Sequence, residues 1–460
     1  MTRLSKTANQ IDAIINTRGK ARVAILGTSL VNHNHAGSAA GALYSYARGW
    51  MAWAEAYAKY AFTCPIWWDD TVLEGWEPSG VPGATRYFQG LNFGVSGQYI
   101  EEIKDRVPYI IANYIDKFDH IIIDAGTNDM AVTDADSIQT DREYICDQFL
   151  AHGKTVTLLP ILSRAISSWS SGGAERKKAN WINSKTKEYI NKTSGVYLFD
   201  WNMYWTNYTD TDGVPYADNT GDGIHFDAPG AELVGKALAD HLLDILPAQP
   251  YSLIQPDDLY DATYNEKGSL ITINPLLLGG SAGANGTGSS GNVVTGARIE
   301  RSTATASAVA NTIEADSDGY GNVQVMTFTL GTTDAKEDFY FRTSSADTSI
   351  AFAGEFIQAG IEVETNNSDA ILGLQLEINE PDLSYSTIGL YTYTWAEKGV
   401  LTPFPAMERR IAIKTPAFLV PDTTTRVRYR LRIIIDGTAS VAPVIKVRNP
   451  WLKKVDDPSV

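Results

Sequence analysis

The chain has 460 residues, 44% of them hydrophobic and 10% aromatic, a globular composition long enough for two or three domains that each bury a core. Its net charge of −16 argues against nucleic acid or an anionic membrane surface as a partner. No apolar run is long enough to span a bilayer, and residues 1–20 lack the apolar stretch of a secretory leader, so a soluble protein is expected. Cys64 and Cys146 fit no disulfide framework or metal-ligand spacing and read as buried thiols or one bridge.

After an N-terminal extension (1–20), Val23-Ala24-Ile25-Leu26-Gly27-Thr28-Ser29-Leu30 opens with an apolar run without polar alternation. That is the pattern of a strand buried on both faces of a parallel sheet. Ser29 follows Gly27 where such a strand turns toward a helix, at the sheet edge where ligands bind. Gly41 to Phe62 reads as a helix and Arg86 to Leu91 as a second strand. Ile100, Ile103, Val107, Ile110, Ile111, Tyr114 and Phe118 recur at helical spacing, with Pro108 a kink. Ile121 to Ala125 is a third strand, Ser137 to His152 a helix, and Thr155 to Leu159 a fourth strand stopped by Pro160. Ala174 to Lys192 is a basic amphipathic helix, Val196 to Asp200 a fifth strand, and Ala231 to Leu246 the last helix. The alternation predicts a three-layer, flavodoxin-like α/β domain over 21–248 with a five-stranded parallel sheet and right-handed crossovers.

Residues 249–292 read as a connector in which Gly279 to Gly291 is a Gly/Ser-rich linker. From 293 to 460 helical periodicity disappears. Val323 to Leu330, Phe356 to Val363, Ile371 to Ile378 and Arg426 to Ile433 alternate with period two. Asp436-Gly437 predicts a hairpin turn from the last of these to Pro443 to Val447, and the whole reads as a jelly-roll-like β-sandwich. Arg426, Arg428, Arg430 and Arg432 share one face there, suited to an anionic glycan or to salt bridges with neighbouring carboxylates or a partner subunit.

Four stretches of the first half bring a polar group to the end of an element. They are Gly27-Thr28-Ser29, Asn92-Phe93-Gly94-Val95-Ser96-Gly97, Gly126-Thr127-Asn128-Asp129 and Asp222-Gly223-Ile224-His225. Acyl transfer needs a nucleophile, a base, a group that orients the base, and donors for the developing oxyanion. Ser29 offers the hydroxyl, and His225 an imidazole with Asp222 three residues before it. On the residues alone, Ser29, Gly97, Asn128 and Asp222 are equally ordinary turn residues, and Asp218 and Asp227 rival Asp222. His120, His152 and His241 sit within or beside elements, whereas His33 and His35 lie close enough to Ser29 to touch a substrate. His33-x-His35 lacks a third ligand, so no metal site is expected.

In their order the four blocks resemble the signature blocks of the SGNH/GDSL hydrolase family, over about the first half of the chain. The resemblance implies a serine esterase that forms an acyl-enzyme without a cofactor. Its catalytic residues would be Ser29, Asp222 and His225, with an oxyanion hole of the Ser29 and Gly97 N–H groups and the Asn128 side-chain amide. Asp129 is expected to serve the loop structurally. The family's first block usually reads Gly-Asp-Ser. Thr28 stands in the aspartate's place, which leaves the proton-transfer groups intact and changes how the nucleophile loop is braced.

Trp67, Trp68 and Trp169 fall in expected loops, where flat aromatic faces suit sugar rings. No long apolar lid is present, and the sandwich resembles a carbohydrate-binding or oligomerisation module. The expected activity is removal of O-acyl groups, O-acetyl first, from a carbohydrate or polysaccharide. The alternatives are a lipase or thioesterase on small acyl esters, and a phage tail or spike component with a deacetylase domain, which would be a trimer. An extracellular or virion-associated location follows from that substrate class, with the cytoplasm as the alternative.

Overall fold

Ala21–Gly27 forms β1, buried along nearly its whole length, as a strand covered by helices on both faces must be. The computed structural model describes residues 20–34, 36–39, 42–46, 49–64, 73–74, 86–87, 91–246, 259–266, 268–271, 273–302, 306–317, 321–343, 354–380, 385–391, 403–421 and 426–455. The expected extension 1–20, apart from Lys20, lies outside these residues, as do Trp67 and Trp68. The chain divides into two units: Met1–His35 with Arg48–Pro250, and Ala36–Ala47 with Tyr251–Val460.

In the first unit, β1 is joined by β2 (Phe62–Thr63), β3 (Asn92–Gly94), β4 (His120–Ile123), β5 (Thr155–Leu158) and β6 (Val196–Leu198). All pair in parallel, in the order β6-β5-β4-β1. The far edge of β1 is shared: Ala21 and Arg22 pair with β2, and Ile25 to Gly27 pair with β3. With β2 and β3 taken as one position, the order is the flavodoxin-like 2-1-3-4-5. Between the strands run α1 (Ser29–Asn32), α2 (Trp50–Tyr57), α3 (Ile100–Tyr114), α4 (Ala135–Ala151), α5 (Ala174–Lys192), α6 (Asn202–Trp205) and α7 (Ala228–Ile245). Ala24, Leu26, Ile121 and Ile123 share a core with Ile103 and Val107 of α3, Ile145 and Phe149 of α4 and Ile182 of α5. Strand alternation turns Val23, Ile25 and Ile122 to the opposite face. There α2 and α7 pack so closely that a Cβ on Gly235 would lie 2.5 Å from the Trp53 Cβ.

Two expectations shift. The helix read over Gly41 to Phe62 is only α2, because Ala42–Tyr46 is a strand paired to Tyr385–Tyr391 of the second unit's sheet. The strand expected over Arg86 to Leu91 falls instead at Asn92–Gly94 (β3), whereas Arg86–Tyr87 forms a separate two-stranded ladder with Leu73–Glu74. Cys64 and Cys146 are free, buried thiols.

One polar cluster sits inside this unit. His120 bonds Thr155 through Nδ1 (2.8 Å) and Thr157 through Nε2 (2.9 Å), and the Thr157 hydroxyl also meets His241 Nε2 at 3.1 Å. Burial pushes the His120 imidazole down from 6.5 to about 3 and that of His241 down to about 4. Unfolded, both titrate near 6.5, so below that pH the unfolded chain binds more protons. Their contribution to stability is complete above pH 6.5 and is lost as the pH falls toward 4. The thermal midpoint is expected to fall over that window, and His120→Gln/His241→Gln to flatten the slope. An unchanged slope in that variant contradicts the assignment.

The second unit consists of two largely antiparallel sheets. The first runs β7 (Ala284–Asn285), β9 (Ala297–Arg301), β12 (Glu337–Thr343), β18 (Arg428–Ile435), β14 (Ile371–Glu380) and β15 (Tyr385–Tyr391), extended by Ala42–Tyr46 and Ala36–Ala39. The second runs β8 (Ser289–Gly291), β10 (Ala308–Ala315), β11 (Asn322–Thr329), β19 (Val444–Lys454), β13 (Phe356–Thr365) and β16 (Arg409–Lys414), with β17 (Phe418–Leu419) beside β13. The sheets face each other: the Tyr429 hydroxyl donates to the Gly360 carbonyl at 3.1 Å, and the Phe328 and Phe339 rings meet edge to face at 4.9 Å. The Gly279 to Gly291 stretch, expected as a linker, carries the short edge strands β7 and β8. Asp436-Gly437 does not close a hairpin, since β18 and β19 lie in different sheets. On β18 the apolar set is buried, and Arg430 and Arg432 pair with Glu377 and Asp338 of neighbouring strands, the salt-bridged reading of that face.

Among the described residues no helix is long and apolar enough to cross a membrane, and no three His, Cys, Asp or Glu side chains cluster as metal ligands.

Candidate active site

Topology brings the four blocks to one edge of the sheet. β3 pairs β1 at Gly27↔Gly94, and the Val95 N–H donates to the Gly27 carbonyl at 2.9 Å, so the turn through Gly97 emerges beside the turn carrying Ser29. On the other side of β1 the Asp124 N–H donates to the Leu26 carbonyl at 2.9 Å, which sets the start of the Gly126–Asp129 turn. A Cβ at Gly27 would lie 2.3 Å from the Asp124 carbonyl, so the close approach of these turns requires glycine there. Ser29 is the first residue of α1, and α1 is held in place by the Trp50 indole N–H on the Leu30 carbonyl (2.9 Å).

The Ser29 hydroxyl donates to His225 Nε2 at 2.8 Å, and His225 Nδ1–H donates to Asp222 Oδ2 at 2.7 Å. A carboxylate only accepts, so the proton on the neutral ring belongs to Nδ1 and leaves Nε2 free to accept. Asp222 Oδ1 accepts the N–H groups of Ile224 and His225, both at 2.8 Å, a turn that folds the ring back onto the carboxylate. Gly223 completes this turn at φ +79, where a Cβ would strike Ala165 at 2.3 Å. Partial burial pushes the Asp222 carboxyl upward, but the bonds from the His225 ring and from the two N–H groups outweigh it and hold the group well below its usual range. Asp222 therefore stays ionised at neutral pH. The His33 ring lies 4.7 Å from that of His225, and His35 falls outside the described residues.

Asn128 follows β4, and its Nδ2 donates to the Gln98 carbonyl at 3.0 Å, joining the second and third blocks. Gly97 is exposed at φ +81, and among the described residues no acceptor meets its N–H. Asp129 is buried and accepts the Ile100 N–H at 3.0 Å and the Thr133 hydroxyl at 3.2 Å, so it caps α3, the structural role expected of it. Of the rival groups, Asp227 precedes α7 as its N-cap, and His120 and His241 belong to the interior cluster.

The missing first-block aspartate has a counterpart on another strand. The buried Thr28 hydroxyl donates to Asp124 Oδ2 at 2.7 Å, and Arg142, also buried, donates to the Ala125 carbonyl and, at 2.6 Å, to that of Leu159. Burial pushes the Asp124 carboxyl up, opposed by the Thr28 hydrogen bonds and by Arg142 and Arg164. The carboxylate that braces the nucleophile turn thus comes from the end of β4. Thr28→Val is expected to lower unfolding free energy by about 1–3 kcal/mol by stripping a partner from a buried group. Thr28→Asp, which restores the usual family residue, sets two carboxylates together and costs more. Urea unfolding at pH 7 checks both, and a Thr28→Asp protein as stable as wild type contradicts the bracing account.

Trp169 lies in a loop after β5, as expected, and lines a cavity there, but most of its ring is covered. It is 4% exposed, sits in the core beside α5, and carries the Arg164 guanidinium 5.3 Å over its ring. Arg164 itself was not legible in the sequence: its Nη2 donates to Asn128 Oδ1 and to the Thr127 hydroxyl, both at 3.0 Å. Its one signal is position, just past the end of β5, where open sheets bind ligands. That cavity, of about 520 Å³, is lined by Ser163, Trp169, Asn180, Asn183, Lys187 and Asp200 among others, and Ser29, Asp222 and His225 do not line it.

A doubly wound sheet with a serine, imidazole and carboxylate linked in series at its carboxyl edge is the layout of a serine-type acyl hydrolase. Residues 25–233 match the model of the GDSL-like lipase/acylhydrolase family. Similar solved structures include a carbohydrate esterase family 3 protein from Talaromyces cellulolyticus, at 17% identity over 49% of this chain and 97% of that one, with a TM-score of 0.33. A GDSL-like lipase from Bacteroides thetaiotaomicron aligns at 14% identity over 53% and 98%, TM-score 0.34. A psychrotrophic esterase from Pseudoalteromonas sp. aligns at 15% identity over 49% and 98%, TM-score 0.34. A search of the curated proteins finds no match.

Proposed function

We propose that the chain is a serine esterase that removes O-acyl groups, O-acetyl first, from a carbohydrate through an acyl-enzyme. The observation that carries the reading is the linked series Ser29 Oγ to His225 Nε2 at 2.8 Å and His225 Nδ1 to Asp222 Oδ2 at 2.7 Å. Ser29 Oγ attacks the acyl carbonyl carbon while its proton passes to His225 Nε2, and Asp222 stabilises the imidazolium. The carbonyl oxygen takes up the negative charge among the Ser29 N–H, the Gly97 N–H and Asn128 Nδ2. Collapse breaks the bond to the sugar oxygen, which receives the proton from His225. Water then attacks the acyl-serine, His225 takes one of its protons, and the carboxylic acid leaves with Ser29 restored.

A sugar ester is favoured over a long acyl chain by the surroundings. The turn at Ser96 and Gly97 is exposed, and the cavity beside β5 and β6 sets hydroxyl, amide and charged side chains beside the Trp169 and Tyr208 rings, whereas an acyl-chain pocket is mostly apolar. The sandwich is assigned as a glycan-binding or assembly module on the same reading. The test is acetate release by the full chain from a panel of acetylated polysaccharides, beside p-nitrophenyl acetate, a long-chain p-nitrophenyl ester and an acyl thioester. Preference for acetylated glycans is the expected result, and faster turnover of the long-chain ester or the thioester overturns the substrate assignment.

A further inference from the structure

The proposed oxyanion donor Asn128 has a weakness common to every carboxamide: its two ends are nearly the same size. Turned one way it presents Nδ2–H to the reacting oxygen; turned the other it presents Oδ1 and repels the developing charge. Its partners here are not interchangeable. Gln98 contributes a carbonyl, which can only accept, and Nδ2 donates to it at 3.0 Å. Arg164 contributes a guanidinium, which can only donate, and its Nη2 lies 3.0 Å from Oδ1. Turning the amide over would break both bonds and set donor against donor and acceptor against acceptor. Nδ2 has two hydrogens, and the Gln98 carbonyl occupies one of them.

Arg164 is itself held from several sides. Its Nη2 also reaches the Thr127 hydroxyl at 3.0 Å, and its guanidinium lies over the Trp169 ring at 5.3 Å. Its carbonyl accepts from Arg176 Nη2 at 2.8 Å, and the next N–H, of Ala165, donates to the Gly223 carbonyl at 3.0 Å within the Asp222–His225 turn. A guanidinium against the amide oxygen also draws electron density from the amide and makes its N–H groups stronger donors, an effect enhanced in a half-buried setting.

We propose that Arg164 is a positioning residue for acyl transfer: it fixes the Asn128 amide with Nδ2 toward the oxyanion and polarises it there. This rests on the serine-esterase reading above. It places a cation outside the triad in the working site, acting through the amide instead of touching the substrate. Arg164 also feels the Asp124 and Asp222 charges, so a purely structural role is the competing explanation, and the two differ in what they do to kinetics.

The experiment is steady-state hydrolysis of p-nitrophenyl acetate by the full-length wild type, Ser29→Ala, Arg164→Ala, Arg164→Lys, Arg164→Gln, Asn128→Ala and Asn128→Ala combined with each Arg164 change. Arg164→Ala is expected to lower kcat by about 10- to 100-fold, a fraction of the loss of a whole oxyanion donor, with KM within about twofold. Arg164→Lys, which keeps a donor-only cation, recovers part of the rate. Arg164→Gln, which can both accept and donate and so no longer selects one amide orientation, does not. Added guanidinium ion raises the Arg164→Ala rate but leaves the Asn128→Ala/Arg164→Ala rate unchanged. With Asn128 gone, each Arg164 change costs less than about twofold, because residues acting through one another are not additive. If the Arg164 changes cost the same fold with and without Asn128, or raise KM alone, the positioning role is overturned. Should Arg164→Ala fail to fold, Arg164→Lys measured with and without Asn128 separates the two roles by the same comparison. A wild type whose turnover survives Ser29→Ala overturns the esterase reading and this inference together. Ser29-dependent turnover with an additive Arg164 effect overturns the inference alone.

Discussion

Ser29→Ala and His225→Ala are each expected to lower kcat for p-nitrophenyl acetate by about 10⁴- to 10⁶-fold, and the double variant to lose little more than either alone. The non-additivity follows from the geometry. The Ser29 hydroxyl is a weak nucleophile until His225 Nε2, 2.8 Å away, takes its proton, and the base has nothing to do once the hydroxyl is gone. Neither change should unfold the protein, since Ser29 and His225 are both only partly buried and neither lies in the core cluster. Steady-state rates with urea midpoints measured beside them check this, and independent, multiplying losses would mean that the two residues do not work as a unit.

The second large effect belongs to Asn128→Ala, expected to lower kcat by about 10²- to 10³-fold with little change in KM, because the donor matters most once the oxygen carries charge. Asn128→Asp should lose more, since it sets a carboxylate where negative charge develops. Presteady-state acylation rates separate this from an effect on deacylation. A loss below about tenfold for Asn128→Ala removes the residue from the oxyanion role.

What could be read in the sequence was what local pattern controls. The runs Val23 to Leu26 and Ile121 to Ile123 announce doubly covered strands, and in an open parallel sheet the residues just past their ends are where ligands bind. The pair Asp222 and His225 was legible for a related reason: the turn that joins them is made by the aspartate's own hydrogen bonds to Ile224 and His225. What was missed depends on partners far away in the chain. Asn92–Gly94 is too short to show a strand pattern and is defined by its register with β1. Ala42–Tyr46 lies in a stretch with helical composition and is a strand because Ala36–Ala39 and the distant Tyr385–Tyr391 pair with its two edges. The local chemistry of Asp436 does make a turn, its carboxylate accepting from Thr438, but which strand the chain joins next is decided by packing. Trp169 and Arg164 make the same point for the site: residue type suggested an exposed ring for a sugar, whereas the fold buries that ring beneath the arginine that holds Asn128.

The most direct measurement of the central claim is the intact mass of the protein after reaction with a fluorophosphonate, with the modified residue located by peptide mass. A single adduct is expected, on Ser29, formed as its oxygen bonds to phosphorus and fluoride leaves, absent in Ser29→Ala and strongly slowed in His225→Ala. An adduct on another residue, or none on a wild-type protein that hydrolyses p-nitrophenyl acetate, would contradict it.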